Sequence, residues 1–287
     1  MKKQIIPLAL IAIVCIGVFS VYLLVSSGQN DNQPPIISFS EEAPEFSVHD
    51  PKQAYLQGVT ASDDVDADVT ASVVVESVKL IDQKGTLQVI YAAFDKAGNV
   101  AKAERQIKLT DYRSPQFDLN KSLTFSSTTG FNIFTIVTAE DVLDGNITHR
   151  VRAAALDPVD VYTPGISSME LSVRNSLGDV VKLVVPVEVY ASGSYQAALT
   201  LKDYMVYLPL GGQLDVESYL DTFSRTDTIV SLHDGLPEGY TLEVKNNVQA
   251  DVPGVYTVDY WVTQTIGEES DAKTFTGYSK IIVVVEG

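Results

Sequence analysis

The 287-residue chain has a single cysteine, a single tryptophan, three histidines and three methionines. Cys15 is the only thiol, so no intramolecular disulfide can form and stability has to come from core packing. His49, His149 and His233 stand far apart, and no two share a metal-ligand spacing. No Gly-rich phosphate loop and no nucleophile-elbow pattern occurs. Scattered carboxylates offer no spacing that marks a glycosidase acid/base pair. The chain therefore reads as non-catalytic. Positive charge is also scarce, with 20 Lys and Arg against 37 Asp and Glu, a formal charge of −17. Such a surface repels phosphate backbones, which excludes nucleic acid as a partner.

What the chain does contain is alternation. Three times a Gly opens a run of apolar residues spaced by two, and a second Gly closes it thirteen positions later: Gly85 to Gly98, Gly165 to Gly178 and Gly254 to Gly267. Leu87, Val89, Tyr91 and Ala93 occupy the inward positions of the first copy. Ser167, Met169, Leu171 and Val173 do so in the second, and Tyr256, Val258, Tyr260 and Val262 in the third. Period-two alternation turns one face of a strand to a core and the other to water. Each closing Gly falls where a hairpin requires positive φ.

A second block repeats as well. Val59–Val73 aligns without gaps on Val137–Val151, and seven of fifteen positions are identical, among them Asp63/Asp141 and Asp66/Asp144. Outside the N-terminus no segment shows helical periodicity, and Val, Ile, Thr and Tyr dominate between frequent turn residues. That points to antiparallel sandwiches. The expected architecture is all-β: three tandem immunoglobulin-like β-sandwich domains after one N-terminal transmembrane helix. Residues 34–111, 112–191 and 194–287 would be the three domains, the third divergent because it lacks the acidic block.

The N-terminus supports the membrane part of that expectation. Lys2 and Lys3 precede an uncharged apolar run from Ile5 to Val25, which as a helix would rise about 30 Å, a bilayer's hydrocarbon thickness. A cytoplasmic tail at 1–4, a signal anchor at 5–25, a polar linker at 26–33 and an extracellular bulk would follow, with the protein a single-pass partner of the membrane. A cleaved signal peptide is the rival reading.

Several residues then fall into one pattern: Pro34-Pro35, Ala61, Asp63, Asp66, Asp68, Thr70, Gly85, Val89, Tyr91, Ala93, Asp95, Gly98 and Asn99. The pattern resembles the bacterial surface immunoglobulin-like domains, including the hyalin-repeat-like group. Ala67 stands where that pattern has Gly, and Leu87 where it has Tyr. The second copy keeps Asp144-Gly145-Asn146 and Gly178-Asp179, and the third keeps Pro253-Gly254, Tyr256, Val258 and Tyr260. The resemblance implies spacers, adhesive modules or accessory domains of bacterial surface proteins. Two other roles stay open beside adhesion and display: a glycan-binding surface module, and a non-catalytic subunit of an envelope export or assembly complex.

Two sets of residues are candidates for a site. Asp63, Asp66, Asp68, Asp95, Asp141, Asp144 and Asn146 offer the oxygen ligands calcium takes; the competing reading is that Asx side chains bond their own backbone to shape the turns. Trp261 alternates to the face opposite Tyr260, where it can stack on a sugar or anchor a protein partner; the competing reading is that it covers a sheet edge or packs on the preceding domain.

Overall fold

The computed structural model describes residues 14–21, 31–157, 160–267 and 271–287. It is mostly β and folds as sandwiches, in two compact units that divide between Tyr112 and Arg113.

The membrane expectation is overturned. Within the apolar run 5–25 the described residues 14–21 are helical. Among the described residues no helix is long and apolar enough to cross a membrane. Residues 5–13 and 22–25, on which the rest of the anchor was expected, lie outside the described residues, as does the expected tail at 1–4.

In the first unit a three-stranded sheet orders Ile36–Phe39, Val59–Asp63 and Ala67–Asp68. A four-stranded sheet orders Glu45–Phe46, Val100–Leu109, Thr86–Phe94 and Val74–Leu80. Leu87, Val89, Tyr91 and Ala93 are all fully buried, as their alternation requires. Gly98 closes the hairpin at φ 92°, a region a Cβ makes costly.

The second unit repeats this plan. Gly145–Asn146, Val137–Asp141 and Gln116–Leu119 form one sheet; Arg152–Ala155, Gly165–Arg174, Val180–Tyr190 and Thr124–Ser126 form the other. Gly178 closes its hairpin at φ 90°. A seven-stranded sheet adds Thr228–Ser231, Leu220–Arg225, Ala197–Leu201, Lys273–Glu286, Gly254–Ile266 and Tyr240–Asn246 in that order, with Met205–Pro209 also paired to Lys273–Glu286.

One topological feature recurs three times: an early strand runs parallel to a late one. Glu45–Phe46 pairs with Val100–Leu109, Thr124–Ser126 with Val180–Tyr190, and Met205–Pro209 with Lys273–Glu286. Parallel neighbours cannot be joined by a tight hairpin and need a long crossover connection, which the sequence separation of each pair supplies.

Strand Lys273–Glu286 buries both faces. Ile282 and Val284 join the core of the segment from 113 to 190, while Ile281, Val283 and Val285 join the core that follows it. The uninterrupted Ile281–Val285 run is the sequence signature of a strand covered on both sides.

Candidate functional site

Asp63 closes strand Val59–Asp63, and its Oδ1 accepts from the amides of Val65 and Asp66 at 2.9 and 2.8 Å, an Asx turn. Asp66 accepts from the Lys96 amide at 2.7 Å and from Lys96 Nζ at 2.9 Å. Those bonds hold its carboxyl below the usual carboxylate range. Asp95 is buried in the facing hairpin and accepts from the amides of Gly98 and Asn99 and from Asn99 Nδ2. Burial pushes its carboxyl up, but the Asn99 and Gly98 bonds outweigh that and leave it low.

Sequence reasoning missed Asp31, which fell in the expected linker. Its carboxylate comes within reach of the cluster, and ligand oxygens of Asp31, Asp63 and Asp66 all lie within 4.8 Å of one another. Asn99 Nδ2 donates to the Asp31 carbonyl at 3.1 Å, which ties this segment to the hairpin. Asp31 Oδ2 and Asp63 Oδ2 are fully covered, and no donor reaches either among the described residues. The expected ligand Asp68 is not brought here. It is exposed and caps its own turn, Oδ1 accepting from the Thr70 amide at 2.9 Å.

The second unit has the same corner with one exchange. Asp141 Oδ1 again accepts from two amides, Leu143 and Asp144, at 3.0 and 2.9 Å. Where the first unit has Asp95 and Asn99, the second has Asn175 and Asp179. Asn175 Nδ2 therefore donates to Asp141 Oδ2 at 3.1 Å. A carboxylate at that position, as in Asp95, has no proton to give. Asp144 is paired with Arg150 at 2.6 Å and bonded twice by Ser176. Burial raises its carboxyl, the Ser176 and Arg150 bonds lower it more, and it ends low. Asn146, like Asp68, is exposed and caps a turn through the Thr148 amide.

A calcium ion takes six to eight oxygens at about 2.4 Å, so two ligands on opposite sides of it stand at most about 4.8 Å apart. Asp31, Asp63 and Asp66 fit that limit, and two of them carry covered oxygens with no donor. At the Asp141 corner the second carboxylate oxygen is met by Asn175 Nδ2, where the matching Asp63 Oδ2 has no donor among the described residues.

Trp261 sits on the face opposite Tyr260, as alternation demands, yet that face is not open water. Its ring stacks on Tyr278 with centroids 5.1 Å apart, and Tyr195 and Tyr190 complete the cluster. Beneath the rings, Lys280 is buried between Glu188 and Asp259, 3.1 Å from the latter. Tyr278 OH lies 2.8 Å from Glu188 Oε2 and 2.7 Å from Asp259 Oδ1, with one proton to share between the two carboxylates. His233, isolated in sequence, pairs with Asp221 at 2.6 Å on an exposed edge. Both contacts join residues at least twelve positions apart, which spacing rules do not reach.

No family model matches the chain. A curated relative, the pesticidal crystal protein Cry22Aa of Bacillus thuringiensis, is 23% identical over 248 residues; these cover 83% of this chain and 32% of that protein. The chain thus spans about a third of the relative's length. Among solved structures, a carbohydrate-binding module and INT-domain structure from Clostridium perfringens ZmpB overlaps 88% of this chain and 44% of its own, at 13% identity and TM-score 0.22. A lipoprotein from Bacteroides thetaiotaomicron overlaps 57% of this chain and 99% of its own, at 12% identity and TM-score 0.23. The cadherin domains of protocadherin gamma B2 overlap 90% and 61%, at 10% identity and TM-score 0.21. At such overlap no argument follows from these structures.

Proposed function

We propose that this chain is a non-catalytic adhesion and display module of the bacterial surface immunoglobulin-like kind, and that the acidic corner of its first unit takes a calcium ion. The observation behind the calcium reading is the exchange of Asn175 for Asp95 between two otherwise matching corners, which leaves Asp63 Oδ2 with no donor. Leaving such a group buried costs about 1–3 kcal/mol, and a cation removes that cost. Calcium then acts as a structural part that locks the segment at Asp31 to the hairpin at Asp95–Asn99. A stiffened sandwich suits a protein that holds binding faces apart better than one that performs a chemical step.

Thermal unfolding of chelated protein, with and without added calcium, tests this. Calcium is expected to raise Tm by several degrees, and Asp63→Asn is expected to abolish the response. Asp95→Asn combined with Asn99→Asp installs the pair that the second unit already has, so it should raise the metal-free Tm and blunt the calcium effect. An unchanged Tm and no heat of binding in the native protein would sink the proposal.

A further inference from the structure

Three of the chain's six arginines line one cleft of about 660 Å3 in the second unit. Arg150, Arg152 and Arg174 share it with His149, Ser172 and Asn175, and no carboxylate lines it among the described residues. The arginines and His149 are exposed. Arg150 reaches Asp144, while neither Arg152 nor Arg174 is in an ion pair among the described residues. In a chain of net charge −17, such a gathering of cations departs from the average surface.

The first unit shows that the fold does not ask for them. Register is preserved between the copies: Val74 pairs with Ala92 and Ala92 with Lys102, as Arg152 pairs with Ser172 and Ser172 with Lys182. Phe94 faces Val100 where Arg174 faces Val180. Arg152 and Arg174 therefore occupy positions that hold Val and Phe in the first unit, and Arg150 one that holds Ser72. Lys102 and Lys182 match, and each has its own carboxylate, Glu76 and Glu170. The lysine is common scaffold; the arginines are an addition.

We propose that this cleft binds an oxyanionic saccharide, one bearing carboxylate or sulfate groups. Guanidinium forks match such oxyanions bidentately, and the Ser172 hydroxyl adds a partner suited to sugar hydroxyls. Apart from these groups the lining is three valines, with no aromatic ring to anchor a protein hot spot. The inference extends the adhesive reading and does not rest on the calcium corner.

Calorimetric titration in chelator with trigalacturonate, a sulfated disaccharide, a neutral cello-oligosaccharide and oligo-glutamate separates the outcomes. Binding by either anionic sugar, weakened by salt and at least tenfold weaker in Arg152→Gln/Arg174→Gln, is expected; the neutral sugar and the acidic peptide should not bind. The carboxylated and sulfated arms distinguish which oxyanion is preferred. Failure of both anionic sugars, equal binding by the double variant, or equal binding of oligo-glutamate overturns the proposal. Circular dichroism of the double variant confirms that loss of binding is not loss of fold. Because chelator is present throughout, the result is separate from the calcium test.

Discussion

Ala67 carries a φ of 60°, the only positive value at a non-glycine among the described residues, where the matching Gly145 has 67°. A left-handed backbone costs an L-residue about 1–2 kcal/mol. Ala67→Gly relieves that but adds unfolded-chain entropy, up to about 1 kcal/mol in the other direction. The net expectation is stabilisation of up to about 1 kcal/mol, read as a small rise in the urea midpoint at constant m. The departure from the Gly pattern was legible in the sequence; that the backbone keeps the glycine conformation was not. Acidic residues divide in the same way. Asp63 and Asp66 were named from spacing alone and do converge, because a short loop fixes both. Asp68 was named with them and instead bonds the amide two residues on, a local choice that composition cannot distinguish from a ligand. Asp31 could not be found by spacing, since 32 residues of chain separate it from Asp63.

At the scale of elements, alternation was the most readable signal. The inward residues of the first Gly-to-Gly strand are buried without exception, and in the second and third copies the last three positions are fully or nearly fully buried. Alternation also sent Trp261 to the correct face, but it is silent on what covers that face. Strand Lys273–Glu286 places Tyr278 under the Trp261 ring and Lys280 beside Asp259, its cross-strand partner. Lys280 is 5% exposed and neutralises two carboxylates. Lys280→Met leaves Glu188 and Asp259 facing each other with no cation between them. Removing one member of a buried ion cluster costs about 3–5 kcal/mol, so Tm should fall steeply at pH 7. A Tm equal to that of the parent at neutral pH would show that the cluster is not structural.

For the molecule as a whole, one compact unit ends at Tyr112 and the other runs from Arg113 to Gly287. Composition marked Ala191-Ser192-Gly193-Ser194 as a linker because it is small and polar. Cores cannot be read that way, since Met205, Ile282 and Val284 belong to the cluster built around Phe117, Leu171 and Val185. Residues that pack into each other's cores open together. Native-state hydrogen exchange is therefore expected to give the amides of Leu171 and Val258 the same opening free energy and the same denaturant dependence. Values that differ by several kcal/mol would mean that the two cores come apart separately. The cationic cleft was invisible to any linear reading for a related reason. Arg152 and Arg174 lie 22 residues apart and become neighbours only through the pairing of Arg152 with Ser172.

The doubly covered strand also sets an order of events during synthesis. A ribosome releases residues 113–272 before it releases 273–286, so two half-built cores must wait for one late segment. Until that segment emerges, both hydrophobic surfaces are exposed to the solvent and to other nascent chains. Slow decoding of the codons for residues 273–286 would lengthen the hazard.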